Sequence, residues 1–285
     1  MHITPEALAH AFKEACLAEL QAIKPGNVHV FADGHGMVVQ DFIKSADVTS
    51  KVIAQPDLSV GERILRSVEA TQMAVACNTN LGIVLLGAVI VEAALIEHKS
   101  TLKERIFYVL KQLTIADAHL AFQAITLAKP AGLGESELHD VNASAQVSLL
   151  EAMQAAQHRD LIAQQYANGF SDIVELGLAS YQAAMVKWKN PIWATTFVYL
   201  NFLAQFQDSH IVRKFGEDLA KQVQQEANQH LTTIENLDNP KLYLRPLMVW
   251  DADLKQRGIN PGTSADLTVA TLLVNACETM CADSQ

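Results

Sequence analysis

Apolar residues recur along the chain at spacings of three and four, the period of an amphipathic helix, and almost nowhere at the spacing of two that marks a strand. Start signals agree with that period. Thr4 followed by Pro5 has the form of an N-cap with proline at the first helical position, and Ala7, Leu8, Phe12, Cys16 and Leu20 trace one apolar face behind it. Pro25-Gly26 stops this helix. Ser59, with Glu62 three residues later, is a capping box that opens a segment reaching about Ala76. Further helices are predicted over 80–97, 101–128, 143–167, 171–188, 192–206, 210–235 and 264–281. Only His29-Val30-Phe31 reads as extended. Leu81 to Ile96 is the most apolar stretch, yet it contains Glu92 and is shorter than the ~20 residues of a membrane span, so it predicts a buried central helix. The pattern as a whole predicts an all-α protein folded as a single multi-helix domain over residues 1–285.

Composition supports one large core, because half of the 285 residues are apolar and only 18% are charged. The formal net charge of −10 disfavours nucleic acid and anionic membranes as partners, since both need clustered positive charge. A phosphate ligand on so acidic a chain requires local Lys and Arg, helix N-termini or a divalent cation. Cys16, Cys77, Cys277 and Cys281 lack the short spacings of a disulfide framework or a zinc site, which points to a reducing compartment. With no basic leader or apolar signal segment after His2, the expected location is cytoplasmic. A homo-oligomer is compatible with the sequence.

Four polar segments at helix ends carry the candidate chemistry. In Lys24-Pro25-Gly26-Asn27-Val28 the proline fixes one dihedral and the glycine permits a left-handed one, so Lys24 and Asn27 are aimed rigidly. Alone, these five residues read more simply as a solvated helix stop. Asn78-Thr79-Asn80-Leu81-Gly82 precedes the most apolar helix with more polar groups than one cap requires, which suits an anion at that helix start. Asn260-Pro261-Gly262-Thr263-Ser264-Ala265-Asp266-Leu267 brings Thr263 and Ser264 hydroxyls to another helix start, with Asp266 in its first turn. An anion and a carboxylate at one place suggest Mg²⁺ between them, although an elaborate helix cap explains the same residues. Asp208-Ser209-His210-Ile211-Val212-Arg213-Lys214-Phe215-Gly216 sets a carboxylate near two cations, an arrangement that surface ion pairs also produce. His35, His119 and His139 show no ligand spacing. No Walker A, dinucleotide-binding, HExxH or GxSxG pattern occurs, which excludes the commonest ATPase and hydrolase plans.

Taken in order, Lys-Pro-Gly-Asn-Val, Asn-Thr-Asn-Leu-Gly, Asp-Ser-His-x-x-Arg-Lys-x-Gly and Asn-Pro-Gly-Thr-Ser-Ala-Asp-Leu resemble the triphosphoribosyl-dephospho-CoA synthase family over nearly the whole chain. Trp250-Asp251 falls where that family has an aromatic-Asp pair. Pro130 to Gly134, His139-Asp140-Val141, Arg159-Asp160 and Tyr166 to Phe170 resemble its archaeal and methylotroph-type branch. The resemblance implies an all-helical enzyme that joins the triphosphoribosyl part of ATP to 3′-dephospho-CoA and releases adenine. It implies catalytic roles for Asp208, Asp251 and Asp266, with Asp208 and Asp266 as the Mg²⁺ ligands. Lys24, Arg213 and Lys214 are expected on phosphates, and Asn27, Asn78, Thr79, Asn80, Asn260, Gly262, Thr263 and Ser264 around the nucleotide. The lyase-associated branch has His-Lys-Gly where Asn80-Leu81-Gly82 stands here, and Asp-Thr-Asn where Asp208-Ser209-His210 stands. That departure opens a second reading, a related nucleotide-dependent transferase or kinase serving one-carbon carrier cofactors of the methanofuran or tetrahydromethanopterin kind. A non-enzymatic helical binding module is the third, and it requires the four segments to lie apart.

Overall fold

The computed structural model describes residues 3–97, 100–130, 141 and 143–282. Among the described residues the fold is all-α, and the sole extended pairings are two isolated bridges, His29 with Ala32 and Gly34 with Met37. Helix α1 (Pro5–Gln21) starts where its cap predicts, with Thr4 Oγ1 accepting from Ala7 N at 3.2 Å. Helix α3 (Val60–Val75) opens on the reciprocal Ser59–Glu62 box. Helix α4 (Leu81–Leu95) is the central rod, buried on nearly every side. Its one carboxylate, Glu92, receives the buried Arg63 guanidinium at 2.8 Å, which explains how a charge is tolerated there.

Several long helical runs are broken, each at a capping signal. Residues 101–128 divide into α5 (Leu102–Gln112) and α6 (Ile115–Ala128), because Thr114 forms its own capping box with Asp117. Residues 143–167 divide into α7 (Leu149–Ala156) and α8 (Leu161–Asn168), where Asp160 Oδ1 accepts from Ile162 N and Ala163 N. A π-helical turn over Asp172–Gly177 leads into α9 (Leu178–Trp188), and Asn190-Pro191 opens α10 (Pro191–Gln205). Gly216, at φ +89°, separates α11 (Ser209–Phe215) from α12 (Glu217–Glu235). Two further pieces escape the periodicity. Helix α2 (Val39–Ile53) buries hydroxyls at Ser45, Thr49 and Ser50 where the pattern expects apolar side chains. Helix α13 (Leu244–Gln256), entered through a 3₁₀ turn at Pro240–Tyr243, buries only Leu247, Trp250, Asp251 and Leu254. Helix α14 (Gly262–Ala282) closes the described chain.

The core has two parts. The larger surrounds α4 and includes Phe12, Leu86, Ile90, Phe202 and Leu273, all without solvent exposure. The smaller lies among α10, α12 and α13 around Leu200, Leu203 and Leu247. They adjoin where α1, α10 and α14 pack on one another. Truncating a side chain such as Leu86 to Ala is expected to cost about 2–5 kcal/mol, because close neighbours surround it on every side. None of the described helices is long and apolar enough to cross a membrane.

Candidate active site

The chain leaves α1 through a loop that is buried from Ala22 to His29, so the solvated-stop reading of Lys24 to Val28 is set aside. Asn27 N donates to Lys24 O at 2.9 Å, with Pro25 and Gly26 in the two middle positions. Gly26 has φ +85°, and a Cβ there would lie 2.8 Å from Pro261 Cδ, so the two Pro-Gly turns of the sequence rest directly on each other. Asp251 pins this turn from behind by accepting from Gly26 N at 2.8 Å, and Tyr199 Oη donates to Pro25 O at 2.7 Å. Lys255 at 3.0 Å and His29 at 3.3 Å complete the surroundings of Asp251. Their presence holds its carboxyl below the usual range despite the opposing effect of burial.

At the start of α14, Asp208 acts as a cap for two helices at once. Its Oδ1 accepts from His210 N and Ile211 N, at 2.9 and 3.3 Å, and its Oδ2 accepts from Ser264 N and Ser264 Oγ, at 2.7 and 2.8 Å. Neighbouring Ser209 Oγ accepts from Leu161 N at 2.7 Å, so the N-terminal turns of α8, α11 and α14 are stitched into one junction. The first turn of α4 joins them through Gly82. A Cβ at that glycine would sit 2.1 Å from Asp266 Oδ2, so the Asp266 carboxylate rests where any other residue would carry its side chain. Before α4, Asn78 Oδ1 caps Leu81 N, while Thr79 and Asn80 donate to Ser45 and Thr49 of α2.

These turns surround a cavity of about 580 Å³, within the range of small-molecule sites. The N-terminal turns of α4, α8 and α14 face it, together with Arg159, Arg213 and Lys214. Side chains already cap Leu81 N, Leu161 N, Ile162 N, Ala163 N and Ser264 N, so it is the partial positive charge of these helix starts, with the nearby cations, that suits this side to an anion although the whole molecule is acidic. Arg213 is held at 2.5 Å by Asp160, the cap of α8. The side formed by α6 and α7 is apolar and exposes Phe122, Ile125, Ala152 and Met153 to the cavity. Asp266 lies in the lining without a hydrogen bond or ion pair from any described residue. Burial raises its carboxyl well above the ordinary range, and the negative charges of Asp208, Glu19 and Asp160 add to the rise while Arg213 opposes it.

Of the residues expected in a site, Asn27, Asn78, Thr79, Asn80, Arg213, Lys214, Asn260, Gly262, Thr263 and Asp266 meet in this one cavity. Four stand behind it. Lys24 is fully buried, with Nζ donating to Glu19, to Asn27 Oδ1 at 2.8 Å and to Val28 O at 2.7 Å, so no donor is left for a phosphate. Asp208 has both oxygens filled by four donors, which leaves it no position for Mg²⁺. Ser264 is spent on Asp208, and Asp251 on the Gly26 turn. Among the described residues no group of three or more His, Cys, Asp and Glu side chains is poised for a metal ion. The cavity also recruits Glu19 and Lys129, which sequence reasoning passed over, His35, which it set aside for want of ligand spacing, and His210, which it named in a motif without a role. Arg159 and Asp160 carried a family signal only. Tyr166 is an interior strut on Leu85 O, and Phe170 follows the left-handed stop at Gly169. The loop residues 131–134, with His139 and Asp140, lie outside the described residues.

Among the described residues the fold is all-helical, and its cavity sets helix N-termini and cations on one side against apolar side chains on the other, an arrangement suited to a phosphorylated small molecule with a hydrophobic part. The family model for CitG, the ATP:dephospho-CoA triphosphoribosyl transferase, matches residues 5–283, and the chain belongs to that family. It is similar in fold to a crystal structure from Archaeoglobus fulgidus described as a candidate triphosphoribosyl-dephospho-CoA synthase. The TM-score is 0.63 at 21% identity, covering 83% of this chain and 98% of that one. No curated protein matches the chain significantly.

Proposed function

We propose that this chain transfers the triphosphoribosyl group of ATP to 3′-dephospho-CoA and releases adenine, the activity that its family's name describes. The main support is the meeting of three helix N-termini with Arg159, Arg213 and Lys214 on one side of a cavity that is apolar on the other. In this reading the triphosphate takes the cationic side, displacing Asp160 from Arg213, and the uncharged ring system takes the α6–α7 side. Displacement at the anomeric carbon builds positive charge on the ribose, and Asp266 is the cavity carboxylate assigned to face it. Magnesium would enter here with the nucleotide, carried on its phosphate oxygens, since among the described residues no group of three or more His, Cys, Asp and Glu is poised to hold it.

The test is to incubate the protein with ATP, Mg²⁺ and 3′-dephospho-CoA and identify the products by mass. Free adenine together with an adduct retaining the triphosphate is expected. ADP formation without adenine would replace this reading with the kinase one. Two positions favour keeping a different acceptor as the second reading. Leu81 and His210 both line the cavity, and Leu81 stands where the lyase-associated branch carries a lysine, so a cation is missing from that place. A one-carbon carrier precursor of the methanofuran or tetrahydromethanopterin kind is the alternative acceptor to supply in the same assay.

A further inference from the structure

We infer that Glu19 is a catalytic residue of the transfer, the base that takes the proton of the acceptor hydroxyl, and that Lys24 is the residue that positions it. This rests on the proposed transfer. Glu19 lies in the last turn of α1, in a stretch that also buries Ala15 and Leu20, and is only 5% exposed, yet it lines the cavity. Its Oε1 receives Lys24 Nζ. Its Oε2 has no hydrogen-bond partner among the described residues. A carboxylate that is nine-tenths buried, fixed through one oxygen, unpaired at the other and part of the wall of the ligand space has the form of a reagent.

The base must be ionised, and the contacts of Lys24 accommodate that form. A neutral lysine amine carries two N–H donors and an ammonium three. Nζ of Lys24 has three oxygen acceptors, on Glu19, Asn27 and Val28. The ammonium donates to all three, and it is the form that leaves Glu19 ionised. Burial pushes the Glu19 carboxyl up and the Lys24 amine down, the attraction between the two opposes both shifts, and the base role takes the pair in its charged form. Lys24 organises more than one cavity residue, because Asn27, which it holds at 2.8 Å, passes the constraint on to Asn260 Oδ1 at 2.8 Å.

In the step itself the acceptor O–H gives its proton to Glu19 Oε2 while the oxygen forms a bond to the anomeric carbon of ATP's ribose. The C–N bond to adenine breaks, its electron pair leaves on the purine, and water supplies the proton that makes adenine neutral. No oxidant or further reactant is needed.

The test compares wild type with Glu19→Gln, which keeps an oxygen for Lys24, and with the double variant Glu19→Gln, Lys24→Met, which removes both buried charges together. Glu19→Gln is expected to lower kcat for adenine release by ~10²–10⁴-fold, with KM for ATP and the ATP-induced shift in melting temperature nearly unchanged. Adding Lys24→Met should lower kcat little further, since the two act as one unit. Formate should restore part of the adenine release in Glu19→Ala, a rescue that a purely structural role does not give. Unchanged kcat in Glu19→Gln overturns the assignment, as does a loss confined to KM. A wild type that binds ATP but makes no adenine with any acceptor overturns the transfer reading instead, and the base assignment falls with it.

Discussion

The polar residues drawn from the sequence motifs separate into two layers. The layer behind the cavity, Lys24, Asp208, Asp251 and Ser264, has its hydrogen-bonding capacity spent on backbone and neighbouring side chains. The layer on its face, with Asp266, Arg213 and Lys214, retains free or exchangeable capacity. Asp208 and Asp266 show the difference best. Both are acidic, both stand at helix starts and both belong to recognisable motifs, but one oxygen pair holds four donors and the other holds none from the described residues. Residue type marks where a site is built. The number of partners separates what supports the site from what acts in it.

If that division is right, substitutions in the two layers must fail differently. The largest loss is expected from Asp208→Asn, where an amide N–H₂ would face the Ser264 donors across a buried junction. About 3 kcal/mol of stability should disappear, read as a lower midpoint in urea unfolding, with nucleotide binding retained by whatever remains folded. A variant as stable as wild type would move Asp208 out of the supporting layer.

Gly82→Ala comes next. Its Cβ would fall 2.1 Å from Asp266 Oδ2, so the carboxylate must turn away from its present place. Adenine release should drop by ~10²-fold or more from such a displacement, with a stability loss of about 1–3 kcal/mol from overpacking. Asp266→Asn sharpens the comparison because its two effects have opposite signs. Activity should fall, yet stability at neutral pH should rise. The folded-state pKa of Asp266 is raised above the unfolded value near 3.8, so wild type holds its full stability below that value and loses some as pH climbs toward the folded pKa. Asparagine removes that loss, and urea unfolding at pH 4 and pH 8 should show the variant gaining only at the higher pH. Equal adenine release and Mg²⁺-dependent ATP binding in Asp266→Asn would take the residue out of the site.

Much of the fold was legible where capping and periodicity coincide, as at Thr4-Pro5 for α1, Ser59–Glu62 for α3 and the apolar run of α4. Helix α2 was illegible for a physical reason. Its buried face carries Ser45, Thr49 and Ser50, and two of these exist to meet Thr79 and Asn80 from another part of the chain. A hydroxyl on an inward face looks exposed until its partner is known. The breaks at Thr114, Asp160 and Gly216 were written as cap residues inside periodic runs, and period alone overrode them. In the site, the motifs located the cavity but could not divide its residues into layers, because that division is made by contacts as distant in sequence as Asn27 with Asn260. Glu19 was invisible because a glutamate in an amphipathic helix ordinarily faces water, and only tertiary packing shows it 5% exposed.

The smallest effect is expected at Arg213, and it tests whether the face of the cavity is exchangeable. Arg213 and Asp160 form a pair still open to solvent, with side-chain exposures of 26% and 28%, so the pair itself should contribute no more than ~1 kcal/mol to stability. Asp160 also caps α8 through its other oxygen, and that bond survives loss of the arginine. Arg213→Gln should therefore leave the unfolding midpoint nearly unchanged while weakening ATP binding by about tenfold, the loss of one charge-assisted phosphate contact. Because the lost contact is ionic, the gap between wild type and variant should narrow as salt is added. Calorimetry at low and high ionic strength measures both quantities. A variant that binds ATP like wild type at low salt would mean that Arg213 stays on Asp160 when ligand is present, placing it with the supporting residues and moving the phosphate toward Lys214 and Arg159.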